Sequence, residues 1–252
     1  MSLRRLFLTL LATLALAGAR AFADDFQQHF QTGNTYYSSG DYAKAIGEYE
    51  QVLNAGYHSP ELYFNLGNAC FRQGQLGLAV LYYTRAQKLD PRDDDIRSNL
   101  AFAHAYRIDK IEVSEETILL DYVNRFFDYF SLNEGITVTV ILYFLAVSAI
   151  LARYVYRWVY LPAPAMVLVL AIFALAVIFS AVKIDRDVAT RTGVILVQQA
   201  DVKNGPGAEY KSQFMAHAGL TFTIEREESG YYLVNLENRL KGWVVKSAVA
   251  EI

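Results

Sequence analysis

Residues 63–83 read YFNLGNACFRQGQLGLAVLYY, and residues 29–49, which lie 34 positions earlier, read HFQTGNTYYSSGDYAKAIGEY. The two segments share small residues and tyrosines at matching places. A repeat of this length predicts stacked helical hairpins, because each unit buries its apolar face only against its neighbours. The matching positions are Gly33 and Gly67, Asn34 and Asn68, Gly40 and Gly74, Ala45 and Ala79, and Tyr49 and Tyr83.

The second copy carries the pattern Y-x2-L-G at 63–67, A-x3-Y at 79–83, and then Pro91. This order resembles the tetratricopeptide repeat (TPR) pattern. The first copy departs from the pattern at His29, Thr32 and Tyr57, where Trp, Leu and Pro are usual. The resemblance implies a TPR domain at 24–110, with repeats at 26–59 and 60–93 and a capping helix at 94–108.

In TPR folds the first helix of each pair lines a concave groove that binds protein segments. Asn side chains in such a groove can donate and accept hydrogen bonds with a peptide backbone, and Arg72 would favour an acidic group. Phe64 and Phe71 could instead pack between the helices, whereas Asn34 and Asn68 are not expected to be core residues. The groove residues that the resemblance implies are Phe30, Asn34, Tyr37, Phe64, Asn68, Phe71, Arg72, Phe102 and Tyr106.

The N-terminus has the pattern of a secretory signal peptide at 1–23. Arg4 and Arg5 precede an apolar run at 6–17, and Ala21-Phe-Ala23 forms a typical cleavage site. The alternative is an uncleaved anchor.

Two further apolar runs, at 135–152 and 163–182, contain no charged residue and are long enough to span a membrane. They predict a transmembrane hairpin with helices at 135–155 and 163–183; a buried soluble hairpin is the alternative. An exported N-terminus followed by two spans places both flanking parts on the periplasmic side of the inner (cytoplasmic) membrane. The turn, with Arg153 and Arg157, then lies in the cytoplasm, as the positive-inside rule favours.

Between the repeats and the first apolar run, residues 118–131 have the spacing of an amphipathic juxtamembrane helix. Its aromatic face could lie on the membrane surface or pack against the repeats. Ser131 and Glu134 then form a capping-box pattern, which indicates that a new helix begins there.

The C-terminal region, 187–252, changes to short β-branched and aromatic runs separated by glycine-containing turns. We expect strands at 194–197, 213–215, 220–224, 231–236 and 242–245, closed into a small barrel that has no exposed edges. The tract Ala200-Asp-Val-Lys-Asn-Gly-Pro-Gly207, with Gly230-Tyr-Tyr-Leu-Val and Gly242-Trp243-Val, resembles the bacterial SH3-like domain. Such domains bind cell-wall components or protein segments. The Trp that family members carry near Tyr231 is absent, and Trp243 is expected in the core.

The sequence has no pattern typical of an enzyme. Its four His residues are far apart, Cys70 is the only cysteine, and Asp93-Asp-Asp95 lacks the remaining positions of a calcium loop. We therefore expect no catalytic residue, no metal and no cofactor.

Removing residues 1–23 takes away three of the 23 basic residues, which leaves 20 against 26 acidic ones, a net charge of −6. Nucleic acid is not expected as a partner.

The fold class predicted is multidomain: an all-α TPR superhelix, a transmembrane hairpin and a small all-β SH3-like barrel. This order of parts, with Asn99-Leu-Ala-Phe-Ala103 and Asp109-Lys-Ile-Glu112, resembles the BatE-type proteins of the Bacteroides aerotolerance (Bat) family. The resemblance implies a stress-related membrane complex with Bat proteins that carry von Willebrand A domains, linked to a MoxR-type ATPase. The alternative function is a cell-wall receptor that binds peptidoglycan through the SH3-like domain.

Overall fold

The computed structural model describes residues 26–109, 118–155, 162–236 and 240–252. The predicted signal peptide lies outside these ranges, as does most of the turn between the two apolar runs.

The N-terminal part consists of helices packed as antiparallel neighbours. Asp41, Ser59 and Asp93 accept hydrogen bonds from backbone N–H groups in the first turns of the helices that follow them, which satisfies donors that have no partner inside a helix. The helices are α1 (residues 26–38), α2 (Tyr42–Asn54), α3 (Pro60–Arg72), α4 (Leu76–Leu89) and α5 (Asp94–Ala105).

The repeated glycines explain how closely these helices approach. A Cβ atom built on Gly33 would lie 2.5 Å from the ring of Tyr49, and one built on Gly67 would lie 2.6 Å from the ring of Tyr83. Both rings are buried. In each repeat, a large ring thus fills the space next to a glycine, which has no side chain. The 34-residue period repeats this contact.

The apolar hairpin consists of two helices that are long and apolar enough to cross a membrane, over Leu132–Tyr154 and Ala163–Ala189. Helix α7 (Leu132–Ile150) begins at a capping box, in which Ser131 and Glu134 form reciprocal hydrogen bonds, and it ends in a wider π turn. Helix α8 (Ala163–Ile184) also ends in a π turn, Asp185–Ala189. The Thr139 hydroxyl bonds to the Ser180 hydroxyl at 2.8 Å, which joins α7 to α8.

Helix α6 (Ile118–Asp128) packs on this hairpin. The Phe127 ring stacks on Phe179 of α8 with centroids 5.0 Å apart, and Phe126 and Phe130 meet the same ring edge-on. The aromatic face therefore lies against α8. On the side of the repeats, the ring of Tyr129, just after α6, lies under the guanidinium of Arg92.

The C-terminal part is an antiparallel seven-stranded sheet with the order β3-β2-β6-β5-β4-β1-β7. The sheet is not closed, because β3 and β7 remain its two ends, so the predicted closed barrel is not confirmed. The strands are β1 (Thr192–Ile195), β2 (Gln199–Lys203), β3 (Ser212–His217), β4 (Thr221–Glu228), β5 (Tyr231–Asn235), β6 (Lys241–Val245) and β7 (Val249–Glu251).

The N-terminal part of the chain contacts both end strands of the sheet, which protects part of each edge. On β7, the carbonyl of Glu251 accepts a hydrogen bond from Arg85 of α4 at 2.7 Å. On β3, the N–H of His217 donates to the carboxylate of Asp109 at 2.7 Å, and the His217 ring contacts the same carboxylate at 2.8 Å.

Helix α4 also joins the repeats to the sheet through apolar packing. Val194 of β1 is fully buried within the core of the repeats. Gly77 of α4 faces the backbone of Ile195 and Leu196 so closely that a Cβ atom would overlap the chain. The helices and the sheet therefore share a packed interface.

Candidate protein-binding groove

Three helices, α1, α3 and α5, carry eight of the nine residues that the TPR resemblance placed in a groove, and the ninth, Tyr106, is the C-cap of α5. The structure divides these residues into three groups: rings that contribute to the core, asparagines that bond between helices, and side chains that remain accessible. The division decides which of them can contact a partner.

Phe30 and Phe64 belong to the first group. Phe30 is buried and tilted against Tyr49, with ring centroids 5.9 Å apart, and Phe64 contacts Tyr83 in the same way at 6.0 Å. Their equivalent positions in the two repeats and their equivalent contacts indicate a packing role.

Asn34 and Asn68 form the second group, and the structure supplies the packing role that the sequence did not reveal. The Tyr49 hydroxyl donates to Asn34 Oδ1 at 2.7 Å, and Asn65 of the next repeat donates to the same atom at 3.2 Å. In the second repeat, Asn68 Oδ1 likewise accepts hydrogen bonds from the Tyr83 hydroxyl and from Asn99. Asn65 and Asn99 are themselves 34 residues apart, a periodicity through which the sequence could have revealed them.

Burial keeps both tyrosine hydroxyls protonated and able to donate. It raises the pKa of Tyr49 and of Tyr83 above the ordinary value of 10.0. Each asparagine oxygen is therefore a fixed acceptor between helices at physiological pH.

Phe71, Phe102 and Tyr106 belong to the third group and form an aromatic cluster. Phe71 meets Phe102 at 5.5 Å and Tyr106 at 5.4 Å between ring centroids, and Phe102 and Tyr106 lie 5.0 Å apart. Phe102 is 51% exposed and Tyr106 is 60% exposed. Large rings held together at a surface offer apolar contact area to a partner. Because their neighbours already restrict them, these side chains lose little conformational entropy on binding.

Arg72 lies next along α3 from Phe71 and stacks over the Tyr42 ring, 5.0 Å from its centroid, while Tyr37 meets Tyr42 edge-on at 5.4 Å. Arg72 is exposed, and no carboxylate of the described chain forms an ion pair with it. Tyr42 was missed by sequence reasoning because the second repeat has Leu76 in its place, so periodicity could not reveal it.

Two titratable groups that could suggest chemistry, Cys70 and His104, are largely buried in the helical part. Burial raises the pKa of the Cys70 thiol to about 12, which makes it a poor nucleophile. Burial and the nearby Arg107 lower the pKa of His104 to about 4. Within the described ranges, no group of three or more His, Cys, Asp or Glu residues could hold a metal ion.

The SH3-like resemblance also named Trp243 as a residue of interest. Its ring is only 6% exposed, and the Arg226 guanidinium stacks over it at 5.1 Å from the ring centroid. Trp243 therefore contributes to the packing of the sheet, as expected from the sequence.

Comparison with known proteins agrees with the helical part of this description. The model of the tetratricopeptide repeat family matches residues 30–94. No curated protein matches the chain. The matched segment contains both Tyr–Asn pairs and both glycine–ring contacts. The match supports tetratricopeptide repeats over residues 30–94, and such repeats suggest a role in protein–protein interaction.

Proposed function

We propose that this protein is a membrane-anchored, non-enzymatic scaffold that captures an extended protein segment in the groove of its repeats. The observation that carries the proposal is the exposed aromatic cluster beside an Arg72 that has no carboxylate partner in the described chain. Exposed aromatic and arginine side chains that are already held in place are the types that dominate binding energy at interfaces.

The chemistry of the groove indicates the kind of segment it binds. The aromatic cluster favours an apolar side chain, and the Arg72 guanidinium, held over Tyr42, favours a carboxylate nearby in the same segment. The asparagine oxygens are already occupied by tyrosine hydroxyls, so they position the helices that present this surface.

The wider role that we propose follows the order of the parts. The two apolar helices anchor the chain in the inner membrane, with the repeats and an SH3-like sheet on the periplasmic side, as in BatE-type proteins. The partners are then Bat proteins with von Willebrand A domains in an aerotolerance or stress-related complex. The length and hydrophobicity of the two helices, Leu132–Tyr154 and Ala163–Ala189, support the anchoring part.

A cell-wall receptor remains the second proposal for the sheet. The burial of Trp243 weighs against it, because a sugar ring cannot stack on a side chain that is 6% exposed and covered by Arg226. Binding of peptidoglycan would have to use another surface of the sheet.

Crosslinking in native membranes tests the scaffold. The double variant Arg72→Ala, Phe102→Ala removes the charge and one exposed ring of the aromatic cluster, while both Tyr–Asn pairs remain. We expect it to fold normally and to lose most crosslinking to its native partners. Arg97→Ala is the matched control, since Arg97 is an exposed cation on α5 whose ion-pair partner is Asp94 on the same helix. If the folded double variant crosslinks to every partner as the wild type does, the groove is not the binding surface.

A further inference from the structure

Hydroxyl groups at the contact between α7 and α8 are hydrogen-bonded inside the apolar hairpin. The Thr139 hydroxyl of α7 lies 2.8 Å from the Ser180 hydroxyl of α8, and it is also within hydrogen-bond distance of the carbonyls of Gly135 and Ala176. Ser180 carries the only hydroxyl in the sequence of α8. The interior of the hairpin thus satisfies its polar groups without water, as a membrane span must.

The outward-facing hydroxyls of α7 are different. Thr137, Tyr143 and Ser148 are exposed, and their hydroxyls have no hydrogen-bond partner within the described part of the chain. In water the solvent would bond to them. In the hydrocarbon core of a bilayer there is no such partner, and an unsatisfied polar group is costly there.

Two of these hydroxyls lie on one stripe of α7. Its members follow one another at intervals of four, three and four residues, and all four are exposed: Thr137, Ile141, Phe144 and Ser148. We call this set the outer stripe. Intervals of four and three are the spacing of residues that meet between two helices of a left-handed pair, the commonest packing of helices in membranes.

The outer stripe points away from α8. The side of α7 that faces α8 carries Thr139, which bonds to Ser180, and Ala146, which is only 4% exposed. Residues 139 and 146 come two positions after 137 and 144, which corresponds to about 200° around the helix. The outer stripe is therefore on the opposite side of α7, where no described part of the chain covers it.

The outer surface of α8 needs no partner other than lipid. Its exposed side chains are aliphatic and include Leu168, Leu175 and Ile178. Acyl chains that cover α7 in the same way would leave the hydroxyls at both ends of the outer stripe without a bond. Tyr143 lies off the stripe, and its ring is held between helices by contact with Phe173, with centroids 6.1 Å apart.

We propose that the outer stripe is the contact between the α7 helices of two copies of this chain, packed in parallel within the membrane. The proposal rests on the membrane anchoring proposed above. All copies insert with the same orientation, so a two-fold axis along the membrane normal brings Thr137 to Thr137 and Ser148 to Ser148 at equal depths. A hydroxyl both donates and accepts, so two identical residues can bond to each other.

A second copy satisfies the stripe in one register. Thr137 and Ser148 are eleven residues apart, which is about 16 Å along the helix axis. A shift of one turn would place these hydroxyls against the apolar side chains of Ile141 and Phe144. In the aligned register, the two hydroxyl pairs enclose an apolar middle that supplies van der Waals contact.

Disulfide crosslinking of the full chain in native membranes tests this contact. Ile141→Cys places a thiol in the middle of the outer stripe and keeps both hydroxyls. Leu175→Cys on α8 is the matched control, since the two side chains are 54% and 66% exposed. They also lie at similar depths, because Thr139 of α7 reaches the carbonyl of Ala176.

We expect mild oxidation to convert most of Ile141→Cys, and little of Leu175→Cys, into a product of twice the chain mass. Equal yields from the two variants would reflect random collisions and would overturn the proposal. A product of Ile141→Cys with a different protein, without the dimer, would assign the outer stripe to another partner's helix, and the proposal would again be wrong.

Removal of the hydroxyls tests what holds the copies together. In vesicles of phosphatidylcholine, energy transfer between labelled copies of the purified full-length protein, measured at increasing lipid content, gives the dimer affinity. The double variant Thr137→Val, Ser148→Ala should weaken the dimer about tenfold, since one hydroxyl bond between membrane helices contributes roughly threefold. Tyr143→Phe removes a hydroxyl off the stripe and should leave the affinity unchanged. An unaltered affinity of the double variant would exclude the hydroxyl pairs.

Failure of this proposal can be told apart from failure of the anchoring on which it rests. Alkaline carbonate extraction of membranes shows whether the full chain is an integral membrane protein. A chain that resists extraction but forms no dimer removes the α7 contact alone, whereas a chain released by carbonate removes the anchor as well.

Discussion

The Tyr83 hydroxyl donates a hydrogen bond of 2.7 Å to Oδ1 of Asn68, and the pair recurs 34 residues earlier between Tyr49 and Asn34 at the same distance. Each tyrosine ring also fills the space over a glycine of the same repeat. A single side chain thus connects the second helix of a hairpin to the first in two ways, by a packed ring and by a polar bond at its end.

Removal of the Asn68 side chain should destabilise the repeats. Asn68→Ala leaves the buried Tyr83 hydroxyl without an acceptor, which costs about 1–3 kcal/mol. Urea denaturation of the full-length protein, followed by far-UV circular dichroism, measures the loss. Combining Asn68→Ala with Tyr83→Phe removes both partners and should recover part of it. If the effects of the two substitutions simply add, the bond contributes nothing to stability.

The same substitution should have opposite effects at two helical glycines. Gly67→Ala puts a methyl group 2.6 Å from the buried Tyr83 ring and should destabilise the protein by roughly 1–3 kcal/mol. Gly47 of α2 is exposed, with nothing within 4 Å of an added Cβ atom. Gly47→Ala should therefore stabilise the helix by about 0.5–1 kcal/mol. Thermal melts of the two variants compare them directly; equal shifts in the same direction would contradict the packing described.

His104 should make the protein less stable in mild acid. Its folded-state pKa of about 4 lies below the ordinary 6.5, so the unfolded chain binds more protons between these values. Its contribution is present above pH 6.5 and is lost as pH falls towards 4. We expect His104→Gln to lose less stability than the wild type between pH 7 and 5, by about 1 kcal/mol after allowance for partial exposure of the ring. Parallel pH profiles of the two proteins would exclude this role.

Labelling with a membrane-impermeant maleimide tests the proposed topology. Lys211→Cys, in the loop just before β3, should react in intact cells whose outer membrane is permeable, whereas Tyr154→Cys, near the turn of the hairpin, should react only after lysis. Both positions are exposed in the structure. The wild type is the control, because the pKa of buried Cys70 is raised to about 12 and its thiol should stay unlabelled. A reactive Tyr154→Cys in intact cells would reverse the proposed orientation.

The repeats could be predicted from the sequence because their stabilising contacts recur at a fixed spacing. The contact between a glycine and a tyrosine ring requires both residues in each repeat. The repeated pairs Gly33 with Tyr49 and Gly67 with Tyr83 therefore reveal this contact in the sequence. The two apolar helices could be predicted as well, because length and hydrophobicity suffice to identify them.

Features that depend on a single contact could not be predicted. Strand β7 is only three residues long, and it is held by β1 and by Arg85 of a distant helix. The apolar face of α6 was evident from its spacing, but spacing does not say which surface the face meets; the structure shows Phe179. Tyr42, which positions Arg72, has no counterpart in the second repeat.

Helix α4 packs on two sides, against the other helices of the repeats and against β1. At β1, the helix and the strand are in close contact because Gly77 has no side chain. The strand follows closely on α8, since only residues 190 and 191 separate the π turn from Thr192. The repeats, the sheet and the hairpin are therefore joined in series by short, closely packed connections. If the proposed groove captures a partner, a force on that partner would pass through α4 to the sheet and from there to the two apolar helices.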